Sequence, residues 1–375
     1  MAKLSFSLNE VEESMKDTSC ILDISTRNTY KTLSGGRRNS LMHPTPGRFC
    51  VAFPMDDNTG KRICYRVWKE IIPDIFNRYT HIGQGIAKAK LPYFSGFHYI
   101  EKALKMKCDG TIMPGIFMDW IEGDTLDKFL SKKWADLNNV QRLTFIRDFY
   151  LMCDKLRTAG ISHGDLSCAN IMINSDRDIR LVDYDSVYVN SMEGKFYQTT
   201  GGGVCFQHPE RINATSPLLA SIDDDNFSQL VIALSLWVAY FEPAKTTDYD
   251  ETQLLFSEVD FNGSTGPERL RTLKQSKGWQ TAEKYRKTFK HISVLLDALE
   301  CVQKPLSEVP SILKFASRDV IRSQWFYQLL NGTDIRDLQI DQKVSYCTAC
   351  GTKITDTNFD YCTACGTKIH IYKSA

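Results

Sequence analysis

The apolar residues of this chain change period at Asp124, and that change bounds the fold more tightly than any other feature. Just after Gly47, the run RFCVAFPMDDNTGKRICYRVWKE reads as a β-hairpin, two β-rich stretches around the turn composition DDNTG. FSGFHYIEKALKM and TIMPGIFMDWIEG read as two further strands joined by a Cys-Asp-Gly turn. Between the two pairs, Pro73–Lys90 can form a helix, weakened in its second half by Gly83 and Gly85. From Asp124 the spacing becomes helical, and LDKFLSKKWADLNNVQRLTFIRDFYLMCDKLRTAG closes on Gly160 as a helix C-cap. Short strand-like pieces follow in ISHGD, NIMIN and IRLVDYD, and residues 223–330 return to helix.

The expectation is an α+β chain. A polar lead-in (1–45, a weak strand or irregular) precedes a β-rich small lobe (46–122) and an α-rich large lobe (123–331). A polar connector (332–344) leads to a small separate unit (345–375).

Composition removes several function classes. With 46 basic and 45 acidic side chains, the net charge of +1 excludes a strongly basic nucleic-acid coat and an acidic disordered tail. At 375 residues, 42% hydrophobic and 24% charged, the chain can bury a core without disulfide staples. The N-terminus MAKLSFSLNEVEESMKD lacks an apolar signal region. The longest apolar stretch, Phe227–Phe241, is about four turns, too short to span a bilayer, and reads as a buried helix. A cytoplasmic protein with no membrane partner is expected. Eight of the twelve cysteines are scattered singly and read as reduced, mostly buried thiols.

The other four cysteines lie in the tail. YCTACGTKI (Tyr346–Ile354) recurs identically as Tyr361–Ile369, giving Cys347-x2-Cys350-x11-Cys362-x2-Cys365. Two residues between cysteines let both thiolates face one ion, and Gly351 and Gly366 permit the tight turn that follows. Four thiolates suit tetrahedral Zn²⁺ in a closed structural site; a redox pair or disulfides are the alternatives. The tail resembles the zinc-ribbon family, which implies a binding or scaffolding module. Lys353, Lys368 and Lys373 can touch phosphate there, or simply form a solvated face. Nucleic acid is thus a possible partner of the ribbon, and not the favoured one.

A second constellation lies mid-chain. His163-Gly164-Asp165-Leu166-Ser167-Cys168-Ala169-Asn170 precedes Ile171-Met172-Ile173, and Asp183 stands thirteen residues beyond Asn170. Three oxygen-bearing side chains thus fall at strand ends. Asp165 can orient and deprotonate a hydroxyl. Asn170 and Asp183 can share a hard cation such as Mg²⁺, which takes few protein oxygens and keeps phosphates as further ligands. Phosphoryl transfer needs such an arrangement, because its catalysis is mostly positioning and charge neutralisation.

Here the sequence resembles the protein-kinase-like superfamily. HGDLSCAN matches the H-R-D-L-x-x-x-N loop in spacing, and Asp183 matches the aspartate of D-F-G. Met118-Asp119-Trp120-Ile121-Glu122-Gly123 looks like the hinge, where the resemblance implies that Asp119, Trp120 and Ile121 meet adenine through backbone groups. Phe206-Gln207-His208-Pro209-Glu210 looks like the end of an activation segment. Asp225-Asn226-Phe227-Ser228 looks like the aspartate-led start of a buried helix. Within the superfamily, the chain is similar to bacterial kinase-like proteins that carry a C-terminal zinc ribbon. The resemblance implies a bilobal fold, ATP and Mg²⁺ as cofactors besides the ribbon's Zn²⁺, and a protein substrate or partner.

The pattern is also broken in places. Gly47 is the one well-placed glycine of the phosphate-covering loop. The lysine of the third strand appears as Arg66, with Lys69 as the alternative. Residues 75–100 hold no Asp or Glu, so the glutamate that would pair with that cation is missing or replaced. Gly164 stands where regulated kinases carry arginine, and Ser167 where Ser/Thr kinases carry lysine. Asp185 replaces the glycine of D-F-G, as a second metal ligand or a solvent-facing acid. ATP- and Mg²⁺-dependent transfer to a protein Ser/Thr hydroxyl is the leading expectation. A pseudokinase scaffold and a small-molecule phosphotransferase are the alternatives.

Overall fold

The computed structural model describes residues 5–32, 34–35, 40–41, 45–46, 49–261, 267–286, 290–314, 345–346 and 353–354. They divide into two units. The first is Met1–Gly123 with Arg180–Asp185 and Val189–Phe196; the second is Asp124–Ile179 with Ser186–Tyr188 and the residues from Tyr197 onward.

The polar lead-in holds two helices ahead of the short strands expected there. Ser7 caps α1 (Leu8–Lys16) through a capping box: its Oγ accepts the Glu10 N–H at 3.3 Å, and the Glu10 carboxylate accepts the Ser7 N–H at 2.9 Å. Val11 and Met15, four residues apart, bury one face. Asp23 caps α2 (Ile24–Thr29). The segment is tied to the sheet where Phe6 N–H donates to the Lys69 carbonyl (2.7 Å) and Leu22 N–H to the Ala103 carbonyl (2.9 Å). Leu8, Val11 and Met15 stand at i, i+3 and i+7, a helical period that the polar composition of the run masks.

The sheet of the first unit is antiparallel. Its strands are β1 (Tyr30–Thr32), β4 (Thr45–Pro46), β5 (Cys50–Asp57), β6 (Arg62–Trp68), β7 (Phe97–Lys105) and β8 (Ile112–Asp119); a separate short pair is formed by β2 (Ser34–Gly35) and β3 (Ser40–Leu41). The order is β1-β5-β6-β8-β7, with β4 also on β5. The β5–β6 turn is held by Asp57, whose Oδ1 accepts the N–H groups of Thr59 (2.7 Å) and Lys61 (2.9 Å). Helix α3 (Ile75–Ala89) follows β6. Its Gly85 marks a close approach rather than a weak point: a methyl group there would lie 2.5 Å from Val189 Cγ1.

In the second unit, β9 (Asp124–Thr125) leads into α4 (Leu126–Lys132). Helix α5 (Asn139–Thr158) opens on an Asn138–Gln141 capping box and ends where Gly160, at φ +70°, donates its N–H to the Arg157 carbonyl. The strands β10 (Ile161–Ser162) and β11 (Ile171–Ile173) flank the HGDLSCAN loop, and β11 pairs with β9. Further along lie β12 (Ile179–Leu181), β13 (Tyr188–Val189) and α6 (Pro209–Ile212). Helix α7 (Asn226–Phe241) is the apolar stretch and is buried on nearly every side, with the Trp237 indole N–H on the Tyr150 hydroxyl at 3.1 Å. Helices α8 (Glu258–Phe261), α9 (Pro267–Gln275), α10 (Lys277–Arg286) and α11 (Lys290–Leu299) complete this unit. Among the described residues no helix is long and apolar enough to cross a membrane.

In the tail, β14 (Ser345–Tyr346) pairs antiparallel with β15 (Lys353–Ile354). The four tail cysteines expected to hold zinc, Cys347, Cys350, Cys362 and Cys365, lie outside the described residues, as do residues 332–344 and Gly47. Of the eight single cysteines, Cys108 is exposed and Cys64 half-buried; the other six are buried.

Candidate functional site

The first unit gathers four of the chemically interesting side chains around Arg66. This residue sits on β6 opposite Ala52 and Ile116, and it is buried. Its Nη2 donates to Asp183 Oδ1 at 2.8 Å and to Asp185 Oδ2 at 3.0 Å. Nη2 and Nε also meet the Cys50 sulfur at 2.7 and 3.3 Å. The Tyr79 hydroxyl, from α3, donates to Asp185 Oδ1. Tyr79 stands where the sequence led one to look for an acid, since α3 carries none. Asp185 is therefore neither solvent-facing nor open: it is buried, with a guanidinium and a phenol on its carboxylate.

The electrostatics of this cluster follow from burial. Burial pushes Asp185 up from the usual carboxylate value, and the Arg66 charge opposes that shift. Burial works against the charge on Arg66, yet Asp185, Cys50 and Asp183 outweigh it and hold the guanidinium above its ordinary value. Burial also raises Tyr79, with the Asp185 charge adding to it. The Cys50 thiol is pushed up to about 12, mainly by burial, so at neutral pH it stays a thiol. The cluster thus holds one cation against two carboxyl groups.

Asp183 is held in the left-handed region at φ +65°. Tyr184 fixes the neighbouring backbone: its hydroxyl donates to the Leu181 carbonyl (2.9 Å) and accepts the Ser95 N–H (2.8 Å), and its ring lies edge-on to Phe94 and Phe97. The Lys69 backbone is held by its N–H on the Phe49 carbonyl (2.9 Å) and by the Phe6 N–H on its own carbonyl (2.7 Å), and the guanidinium in the cluster is that of Arg66. In the segment expected to meet adenine, Asp119 ends β8, with its N–H on the Gly96 carbonyl at 2.9 Å. Its backbone donor is therefore already used. The Trp120 ring lies under the Arg62 guanidinium, 5.5 Å from its centroid, and Ile121 is half-buried.

The second unit holds Asp165 and Asn170 in a braced loop. Asp225, just before α7, accepts the N–H groups of His163 (2.5 Å) and Gly164 (2.9 Å) with its two carboxylate oxygens. The buried Arg211 donates to the carbonyls of Gly164 and Thr200 (3.2 Å) and to Gln207 Oε1 (2.9 Å). Asn170 Nδ2 donates to the Asp165 carbonyl at 2.8 Å, a bond that leaves its Oδ1 unused. Leu166, Ser167 and Cys168 are buried below, and Leu126 N–H donates to the Cys168 carbonyl. Asp165 itself is half-buried beside Gly202: a methyl group on that glycine, at φ +80°, would lie 2.9 Å from Asp165 Oδ1.

Gly164 now has a physical reason. At φ +76°, a Cβ there would stand 2.1 Å from the Ser186 carbonyl oxygen. No side chain fits, arginine included. Sequence reasoning missed Arg211 and Tyr79. Nothing local marks Arg211, whose partners lie 4, 11, 13 and 47 positions away. Tyr79 was signalled only by the acid missing from its helix.

Among the described residues no three His, Cys, Asp or Glu side chains gather as a metal site. No protein-family model matches the chain, and no curated protein matches it significantly.

Proposed function

We propose that the chain is a protein-kinase-like phosphotransferase that moves a phosphoryl group from ATP to a protein Ser/Thr hydroxyl. The observation that supports this best is the bracing of the Asp165 loop by Asp225, Arg211 and Asn170. A loop fixed from three directions around a half-buried carboxylate is the preorganisation that phosphoryl transfer draws on.

In this reading Asp165 accepts the proton of the attacking hydroxyl. Asn170 and Asp183 are the residues that would hold Mg²⁺, and Arg66 is the cation for the phosphates. Mg²⁺, when bound, supplies charge neutralisation at the phosphates. The Asn170 geometry fits the role, since its Nδ2 bond into the loop orients the amide and frees the oxygen. The tail would bind Zn²⁺ through Cys347, Cys350, Cys362 and Cys365 and serve as an interaction module for a protein partner.

A specific observation favours a second reading, an inactive scaffold. Arg66 and Asp183, both required for the donor site, are paired with one another at 2.8 Å. A protein with no use for nucleotide has no reason to keep that pair open. By contrast, Gly164 no longer speaks for a small-molecule phosphotransferase, because the Ser186 carbonyl excludes any side chain there.

Calorimetric titration of ATP with and without Mg²⁺, on the wild type and Asp183→Ala, separates the two. Micromolar binding that depends on Mg²⁺ and on Asp183 supports a donor site. No binding by folded protein turns the question to the scaffold. Asp165→Ala is then expected to bind nucleotide and transfer nothing, and retained turnover would refute the assigned base.

A further inference from the structure

Arg66 faces two carboxylates that differ in the properties deciding which of them can let go. The Asp185 side chain is 11% exposed and that of Asp183 is 42%. Asp185 also takes the hydroxyl of Tyr79, which α3 holds between Trp68 (ring centroids 5.3 Å apart) and Tyr99 (6.0 Å). A buried guanidinium must keep at least one carboxylate, because an uncompensated buried charge is strongly destabilising.

We infer that Asp185 is the positioning residue that holds Arg66 in place, that Tyr79 holds Asp185, and that Asp183 is the exchangeable partner. The inference rests on the phosphoryl-transfer reading for what Asp183 is exchanged to, namely a Mg²⁺-bound nucleotide. The connection from α3 to the buried cation then runs through a neutral hydroxyl and a carboxylate, rather than through a carboxylate on the helix. It brings no further charge onto α3. It also leaves Asp183 able to turn toward a metal while the guanidinium stays paired.

The test uses the full chain with Asp183→Asn, Asp185→Asn, Asp185→Glu and Tyr79→Phe. Each variant is read by its melting temperature without nucleotide and by calorimetric affinity for ATP with and without Mg²⁺. Asp185→Asn is expected to melt about 10 °C lower, the loss expected for a broken buried pair in a domain of this size. Asp183→Asn is expected to melt within about 3 °C of the wild type while losing the Mg²⁺ dependence of ATP affinity. Tyr79→Phe should weaken ATP binding about 3- to 10-fold and leave the ratio of affinities with and without Mg²⁺ unchanged, as the loss of one ordinary hydrogen bond predicts. Asp185→Glu should recover part of both the melting temperature and the affinity.

Equal destabilisation by Asp183→Asn and Asp185→Asn would overturn the assignment. So would a Tyr79→Phe variant identical to wild type in melting and affinity, a result obtainable even if Asp185→Asn fails to fold. A wild type that binds no ATP sinks the phosphoryl-transfer reading instead, and the melting contrast alone then decides which carboxylate holds Arg66.

Discussion

The carbonyl oxygen of Ser186 lies 2.1 Å from where a Cβ on Gly164 would sit, and the Gly164 carbonyl in turn accepts a hydrogen bond from the Arg211 guanidinium. One residue of the loop is thus fixed from both sides by partners distant in sequence. Gly164→Ala is expected to cost about 3–5 kcal/mol, since a left-handed φ adds to a backbone clash that cannot be relieved by a rotamer. Chemical denaturation checks this, and a loss under about 1 kcal/mol would mean the loop moves aside easily.

Asp225 offers a second handle on the same loop. Asp225→Asn keeps one acceptor oxygen and turns an amide N–H toward a backbone N–H. A loss of about 3 kcal/mol is expected, from one buried donor left unsatisfied and a charge-assisted bond removed. In a domain of this size that lowers Tm by roughly 6–12 °C. If transfer activity is found, it should fall more in this variant than the fraction unfolded explains.

His208 makes stability depend on pH. It is buried at the start of α6, and its Nδ1 accepts the Glu210 N–H at 3.2 Å. Burial lowers its pKa from the ordinary value of 6.5. The folded state therefore binds fewer protons than the unfolded chain below that value. The contribution is complete above pH 6.5 and is lost as pH falls from there toward the folded value, at up to about 1.4 kcal/mol per pH unit. His208→Asn keeps a capping oxygen and cannot titrate, so its stability should fall less between pH 7 and 5 than that of the wild type. Parallel curves for the two proteins would remove His208 as the cause.

The tail makes a prediction about metal. Elemental analysis of purified protein should return one zinc per chain, and Cys347→Ser should lower that content. If the tail binds zinc as proposed, chelation should unfold it, since ligation of a structural zinc supplies on the order of 10 kcal/mol to so small a unit. The main melting transition should stay within about 2 °C, because the described core of α7 and the antiparallel sheet holds no metal cluster.

Local sequence carried much of this protein. The hairpin β5–β6, the helix α3, the strands β7 and β8, the Gly160 stop and the buried α7 were all legible, because periodicity and turn chemistry are properties of neighbouring residues. Asp165, Asn170, Asp183 and Arg66 stood out as candidates by type and spacing. The partners were not. That Arg66 meets Asp183 and Asp185 across 117 and 119 positions, that the Tyr79 hydroxyl reaches Asp185, and that Asp185 is buried are all consequences of chain segments packing together. Two glycines show the division well. Gly85 read as a weak helix residue and Gly164 as a lost arginine, yet each is set by one distant atom, Val189 Cγ1 and the Ser186 oxygen. The sequence by itself marked candidate residues for the proposed chemistry and placed most of the elements that carry them. Only the tertiary structure decided which charges face one another, because burial and side-chain distance arise between segments that have no neighbour relation along the chain.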